Sequence, residues 1–316
     1  SLHDAHQHGP AEILLREAIG KGADTPEARY LLGRILFAQR RPEEAETEFR
    51  RALAARRNYA AAQTILAESI WMRTGDSEAA LVELDAALQA DQGNVELRTF
   101  KAKLLEWAGR QQAALAELEA GLKLDAGNAV LHGAAAQTAL KLDPGRALRH
   151  AQDALRGGVH TPVLLSACGN ALLANGRAAE AAEISERMLA LDPHDGHAIV
   201  LRVSAWRMLG DPRYRNLYDY AQFVRASPID TPQGWPSLPA YLRDLAAALH
   251  RQQVMQAHPI GQTLRTGTQV DLDLENEQDA AIRAFAQAID GPIRRYMQAI
   301  GSGNEVMRSR NAREYA

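Results

Sequence analysis

The chain has 316 residues, of which 36 are lysine or arginine and 39 are aspartate or glutamate, giving a formal net charge of −3. This near-balance of charges argues against a dedicated nucleic-acid-binding protein, which would have a clear excess of basic residues. No apolar run reaches the roughly 18 residues of a membrane-spanning helix. The single cysteine, Cys168, excludes an internal disulfide and favours a reducing compartment. The composition therefore predicts a cytoplasmic protein that binds neither nucleic acid nor membrane.

An internal repeat of about 34 residues runs through the first two-thirds of the chain. The segment ALVELDAALQADQGN at 80–94 recurs as ALAELEAGLKLDAGN at 114–128. Related segments lie upstream, in EEAETEFRRAL at 43–53, and downstream, in GRAAEAAEISERMLALDP at 176–193. Self-similarity at a constant period indicates stacked structural repeats, in which each unit buries its apolar face against its neighbours.

The repeat resembles the tetratricopeptide repeat, which is a pair of packed helices. A small residue lies near its eighth position, a glycine turn near the fifteenth, an alanine near the twentieth and a proline near the thirty-second. We predict that Gly75, Gly109 and Gly176 end first helices in the left-handed conformation, and that Pro193 stops a second helix. The resemblance implies an all-α superhelix (an α-solenoid) that binds a protein or peptide along its concave groove.

The repeats are predicted to form one solenoid over residues 1–226. It contains a half repeat at 11–25, units at about 26–59, 60–94, 95–127, 128–161 and 162–195, and a degenerate unit at 196–226. A connector is predicted at 227–238, because its density of proline excludes a continuing helix. A mostly helical segment with one short strand is predicted to fill 239–316.

The first helix of each tetratricopeptide pair lines the concave groove, so its projected residues are candidate ligand contacts. They include aromatic and arginine side chains, the types that dominate binding hot spots. The candidates are Tyr30, Arg34, Phe37, Glu68, Trp71, Lys103, Trp107, His132, Asn170 and Arg207. For Trp71 and Trp107, which both precede a glycine turn, an alternative is that they seal the joints between helices.

An aromatic cluster follows Gly210 in a chain that is only 5% aromatic. Its members are Tyr214, Tyr218, Tyr220 and Phe223. We predict that the cluster caps the exposed last helix of the solenoid, and a binding site is the alternative. Beyond the connector, a helix is predicted from Pro239 to Ala257. Its buried face is expected to contain Leu242, Leu245, Ala246 and Leu249.

The stretch HPIGQTLRTGTQVDLDLE, from His258 to Glu275, differs from the helical sequence around it. It is not a phosphate-binding loop, because no lysine follows its last glycine. It is not a calcium loop either, because Asn276 and Ile282 stand where glycine and glutamate are needed. The alternation of apolar residues with carboxylates at 270–275 predicts a short strand.

The same stretch resembles the HP-x-x-Q-S-L-R-G-G-T-Q-T signature of a bacterial family of 2-oxoglutarate/Fe(II) oxygenases, whose members commonly carry tetratricopeptide repeats. The matching residues are His258, Gln262, Leu264, Arg265, Gly267, Thr268 and Gln269. The resemblance covers about 205–316. It implies a repeat scaffold that recruits a substrate or partner to a hydroxylase, with Fe(II) and 2-oxoglutarate as cofactors of a full-length parent.

The sequence offers no catalytic or metal-binding set of its own. Such oxygenases hold iron with two histidines and one carboxylate, written H-x-D or H-x-E with a later histidine. None of the ten histidines is followed two residues later by aspartate or glutamate, and the pair His194 and His197 lacks a third ligand. We therefore predict no catalytic residue, no metal and no cofactor in this chain, which lacks the catalytic barrel. A free-standing adaptor is the alternative function.

Overall fold

The computed structural model describes residues 8–158, 160–253, 255–257, 277–303 and residue 308. Those residues are helical or irregular, and none of them lies in a strand. The all-α fold class is therefore confirmed, whereas the strand predicted at 270–275 lies outside the described residues. No helix in the described ranges is long and apolar enough to cross a membrane.

The described chain divides into two compact units. Unit 1 contains the residues up to Leu142 and a segment that begins at Gln253. Its helices are α1 (His8–Gly20), α2 (Pro26–Ala38), α3 (Pro42–Ala55), α4 (Ala60–Thr74), α5 (Ser77–Ala90), α6 (Val95–Trp107), α7 (Gln111–Leu124) and α8 (Ala129–Ala139). Helix α2 packs on α3, α4 on α5 and α6 on α7, while α4 also contacts α6 and α6 contacts α8. The first helices α4, α6 and α8 of successive pairs therefore lie side by side.

Unit 2 runs from Asp143 to Gln252 and resumes in the C-terminal part of the chain. Its elements are α9 (Pro144–Arg156), α10 (Pro162–Ala174), α11 (Ala178–Leu191), α12 (Gly196–Met208), a 3₁₀ helix (Pro212–Asn216), α13 (Tyr220–Phe223), α14 (Leu238–Gln252) and α15 (Ala280–Ile300). Helix α10 packs on α9, α11 and α12, the 3₁₀ helix packs on α12, and α14 packs on α15.

The recurring sequence D-x-G-N fixes the turn that leads into a first helix. Asn94 caps α6, because its side-chain oxygen accepts from the Leu97 N–H at 3.0 Å, and its amide donates to Asp91 at 3.0 Å. Asn128 repeats both contacts at the start of α8, at 3.1 Å and 3.0 Å. Each cap satisfies an N–H group that has no partner inside its own helix.

Glycine follows the end of three first helices, α4, α6 and α10, as the repeat pattern predicts, whereas Arg40 takes the left-handed conformation after α2. Gly75, Gly109 and Gly176 have φ values of 69°, 78° and 74°. A side chain is strained in this left-handed region, which explains why glycine recurs at this place.

Glycine also permits close contact between neighbouring helices. A Cβ placed on Gly33 of α2 would lie 2.5 Å from the ring of Phe49 on α3. A Cβ on Gly169 of α10 would lie 2.2 Å from Leu201 of α12. All four residues are buried, so neither large side chain can move out into solvent. The missing side chain is therefore a requirement of packing at both positions.

A partly buried ion-pair network joins α5, α6 and α7. The Lys101 ammonium lies 2.7 Å from Asp85 and 2.5 Å from Glu117, and Glu117 also pairs with Arg98. Burial alone would lower the pKa of Lys101, but the hydrogen bonds to Asp85 and Glu117 outweigh burial and raise that pKa. Lys101 is thus held as a cation at the joint between helices.

Pro292 lies inside α15 and creates the attachment point for the connector. Because proline has no N–H, the Ala288 carbonyl one turn earlier has no donor within the helix. The Asp230 N–H donates to that carbonyl instead, at 2.8 Å. The Asp230 carboxylate also pairs with Arg295 at 2.9 Å, and Gly291 leaves room for it, since a Cβ there would lie 2.1 Å from its oxygen.

The helix predicted at Pro239 to Ala257 differs from α14 in its end and in its buried face. Helix α14 ends at Gln252. Of the residues expected on its buried face, Leu245 is buried, whereas Leu242 and Ala246 are exposed and Leu249 is half-buried; Tyr241 and Ala248 are buried instead. Tyr241 determines the face, because its hydroxyl donates to the Ala281 carbonyl at 3.2 Å. This contact with α15 depends on residues distant in sequence, which explains why the apolar pattern alone did not identify Tyr241 as a buried residue.

We predict that Gly169→Ala destabilises the chain by about 1–3 kcal/mol, because the added methyl group overpacks the contact with Leu201. The measurement is urea unfolding followed by circular dichroism. Gly196→Ala is the matched control: that glycine begins α12, and a Cβ added to it would meet no atom within 4 Å. A second substitution, Leu201→Ala, should reduce the effect of Gly169→Ala. Equal stability of Gly169→Ala and the unchanged chain would contradict this packing.

We predict that Lys101→Met lowers the free energy of unfolding by about 1–3 kcal/mol, because Asp85 and Glu117 lose a partly buried partner. Lys103→Met is the control, since Lys103 lies on the same helix and is exposed. Its effect should stay within about 0.5 kcal/mol. If thermal or urea unfolding gave the two variants the same stability, the network would have no structural role.

Candidate functional site

The first helices of unit 1 present a set of the predicted contact residues. Tyr30 is half-buried and packs against Tyr59 with the two rings tilted by 47° and their centroids 5.1 Å apart. The Arg34 guanidinium lies 5.8 Å from the Tyr30 ring, and Arg34 itself is exposed. Lys103 is exposed on α6. We call the exposed and half-buried side chains of α2, α4, α6 and α8 the first-helix face.

Arg34, Glu68 and Lys103 occupy equivalent places, since each is the ninth residue of its helix. Glu68 is half-buried, and so is Phe37, which lies near the end of α2. The face therefore carries a basic, an acidic and a basic side chain on three successive first helices.

The two tryptophans differ in burial and in position. Trp71 is only 9% exposed and belongs to the core, whereas Trp107 is half-buried. Trp71 lies four residues before Gly75 and Trp107 two residues before Gly109, so the two are not at equivalent places in the repeat. The burial of Trp71 favours the alternative in which it seals a joint between helices.

His132 forms part of a structural contact that recurs along unit 1. It is 8% exposed, and its Nε2 atom lies 3.0 Å from the Ala126 carbonyl in the preceding turn. Gln63 and Arg98 make the same contact six residues back, at 2.7 Å and 2.8 Å. His132 is thus part of the core and not an exposed contact residue. The sequence did not reveal this recurring contact, because three different residue types make it.

A segment of the chain itself lies against α4. The N–H groups of Gln256 and Ala257 both donate to the Met72 carbonyl, at 2.7 Å and 2.9 Å. This carbonyl lies in the last turn of α4, where carbonyls lack donors within the helix. Met255 and Ala257 are buried. The helix predicted to continue to Ala257 is replaced here by a non-helical segment that contacts the repeat.

In unit 2, two further candidates are exposed. Asn170 is exposed on α10, and Arg207 is exposed on α12 with its guanidinium 5.9 Å from the Tyr218 ring. The aromatic cluster beside Arg207 is only partly a cap. Tyr214 is half-buried in the 3₁₀ helix that packs on α12, but Tyr218 and Tyr220 remain exposed.

A cavity of about 460 Å³ lies between α1, α2 and α3. Its charged lining residues are paired with each other or with neighbours: Arg29 with Glu48 at 2.9 Å, and Arg16 with Glu44 at 3.5 Å. Leu32 and Leu36 form its apolar floor. Because the charges are already paired, the cavity offers no evident selectivity for a charged ligand.

The described residues do not fit an iron site. Within the described ranges, no group of three or more histidine, cysteine, aspartate or glutamate side chains could hold a metal ion. The seven residues that resemble the oxygenase signature, from His258 to Gln269, lie outside the described residues. Cys168 is buried, and burial raises the pKa of its thiol, as is typical of a structural cysteine.

Comparison with known proteins agrees with a fold of packed helix pairs. A family model described as a tetratricopeptide repeat matches residues 2–68. A tetratricopeptide repeat protein from Parabacteroides merdae ATCC 43184 is 15% identical with a TM-score of 0.50, over 72% of this chain and 87% of that protein. PilW, a widely conserved type IV pilus biogenesis factor, is 14% identical with a TM-score of 0.50, over 64% and 95%. No curated protein matches the sequence.

At these identities the two solved structures are informative about the fold alone. Their likeness agrees with the packed helix pairs, the glycine turns and the matched repeat in the N-terminal part of the chain. The fold of this chain is a tetratricopeptide-repeat solenoid.

Proposed function

We propose that the first-helix face of unit 1 binds a peptide segment of a protein partner. The contact of Met255 to Ala257 with the end of α4 carries this proposal, because a non-helical segment already donates two backbone N–H groups there and buries side chains. Tetratricopeptide repeats suit such binding, since stacked units present a continuous surface. The Met72 carbonyl is already occupied by the chain itself, so the exposed and half-buried side chains of the first-helix face form the binding surface.

The charges on the first-helix face favour a particular peptide. Arg34 and Lys103 lie two repeats apart, and packed helices are separated by about 8–10 Å. Their side chains are thus roughly 20 Å apart, which an extended chain spans in about six residues at about 3.3 Å each. We infer a peptide with two acidic residues separated by that distance.

We expect a labelled peptide of the pattern E-x-x-x-x-x-E to bind the full chain with an affinity that falls about ten-fold in Arg34→Ala combined with Lys103→Ala. The reason is that each substitution removes one charge-assisted contact with a peptide carboxylate. Fluorescence anisotropy measures the affinity. Peptides in which the two glutamates are separated by two or ten residues test the spacing.

Lys123→Ala is the matched control, because Lys123 is an exposed lysine on a second helix, α7. It should leave the affinity unchanged. Circular dichroism should show the same helical signal for all variants. Equal binding of the peptide to the double variant and to the unchanged chain would exclude the first-helix face as its site.

We further propose that the scaffold recruits a substrate or partner for a 2-oxoglutarate/Fe(II)-dependent hydroxylase. This proposal rests on the resemblance of His258 to Gln269 to the oxygenase signature. An adaptor that stands alone and catalyses nothing is the alternative. The gene sequence that follows the codon for Ala316 distinguishes them: an H-x-D followed by a distant histidine supports the hydroxylase, and a stop codon contradicts it.

For the 316-residue chain alone we expect no Fe(II)-dependent turnover of 2-oxoglutarate. The reason is that its histidines lack the H-x-D or H-x-E spacing of the iron ligands. Release of labelled carbon dioxide from 2-oxoglutarate, with Fe(II) and ascorbate present, is the measurement. Release above that of a protein-free sample would contradict this expectation.

A further inference from the structure

Unit 2 carries a patch of exposed apolar and aromatic side chains at the end of its repeats. Met208, Leu209, Tyr218, Tyr220 and Val224 are 52%, 53%, 40%, 57% and 63% exposed. The patch occurs where α12 is followed by a 3₁₀ helix and the four-residue α13, and not by a full second helix. Large apolar side chains grouped on a surface are typical of an interaction site.

The same part of the chain is strongly basic. Between residues 202 and 225 there are five arginines and two carboxylates, Asp211 and Asp219, although the whole chain has a net charge of −3. Arg213 pairs with Asp211, and Arg202 pairs with Glu186 of α11. The remaining arginines form no ion pair among the described residues: Arg207, Arg215 and Arg225. We call the exposed side chains of residues 202–225 the arginine–aromatic patch.

Aromatic rings hold the arginines in place. The guanidinium groups of Arg202 and Arg213 lie 5.5 Å and 4.6 Å from the Trp206 ring, and that of Arg207 lies 5.9 Å from the Tyr218 ring. Tyr220 packs edge-on against Tyr218, with centroids 4.5 Å apart. A cation–π contact orients the guanidinium plane without using its N–H donors, so the donors of Arg207 stay available for a carboxylate.

These arginines lower the pKa of a neighbouring tyrosine. The pKa of Tyr214 is lowered, first by its hydrogen bond with Arg215 and then by the charges of Arg215 and Arg207. A local positive potential of this kind favours an anionic partner.

We propose that the arginine–aromatic patch docks an acidic peptide segment of a protein partner. Carboxylates of the segment pair with Arg207 and Arg215, and its apolar side chains cover Met208, Tyr220 and Val224. A single-stranded nucleic acid is a poorer fit, because it stacks its bases on ring faces. Arginine side chains already lie over the rings of Trp206 and Tyr218. The patch lies wholly in unit 2 and does not depend on the first-helix face of unit 1.

The test is fluorescence anisotropy of the full chain with a labelled synthetic peptide that alternates aspartate and leucine. A second peptide with lysine for every aspartate and a labelled single-stranded oligonucleotide are titrated in parallel. We expect saturable binding of the acidic peptide, with an affinity about ten-fold lower in Arg207→Glu combined with Arg215→Glu. Reversing two charges turns attraction into repulsion, and the loss should shrink at high salt.

Arg243→Glu is the matched control, because Arg243 is an exposed arginine of unit 2 outside the patch. It should bind the acidic peptide like the unchanged chain, as should Arg34→Ala combined with Lys103→Ala. Tyr220→Ala combined with Val224→Ala should weaken binding several-fold with the salt dependence kept. Equal affinity for the lysine peptide, no loss in the double arginine variant, or tighter binding of the oligonucleotide would each overturn the proposal.

Discussion

The close approach of helices through small side chains is the constraint on which the rest of this structure depends. Ala45, Ala80, Ala114, Ala147 and Ala181 recur at intervals of about one repeat, each on a second helix, and all five are fully buried. A larger side chain at any of them would separate two helices of a pair. The leucines that fill the remaining space pack well only at that short separation, because protein interiors are close to crystal density.

This constraint explains why the fold could be predicted from the sequence while much of the candidate site could not. Alanine spacing, the glycine turns and the D-x-G-N caps are local or periodic signals, and they predict the helix pairs directly. The burial of Trp71 and His132, by contrast, depends on contacts with neighbouring helices and turns. The position of a residue around its own helix does not show whether it is exposed in the groove or buried between two helices, when both kinds of residue lie on the same side of that helix.

The same reasoning explains the errors in the C-terminal part. The apolar residues of α14 suggested a face that contains Leu242 and Leu245, but the contact of Tyr241 with the Ala281 carbonyl turns the buried face toward Tyr241 and away from Leu242. The residues after Gln252 have a helical composition, yet the N–H groups of Gln256 and Ala257 bind the Met72 carbonyl. In both cases a hydrogen bond to a distant backbone carbonyl outweighs the local preference. Such acceptors are invisible to any pattern read within a single segment.

The proline at position 292 leaves a carbonyl free for the backbone N–H of Asp230, a residue far away in sequence. A residue with an N–H at 292 would favour a regular helix, but it would compete with the Asp230 N–H for the Ala288 carbonyl. Conversely, proline at 230 would leave that carbonyl without any donor. The two positions should therefore vary together among homologous chains, even though their side chains need not touch. A consensus substitution that removes the helix-interior proline would loosen the connector while improving the helix that holds it.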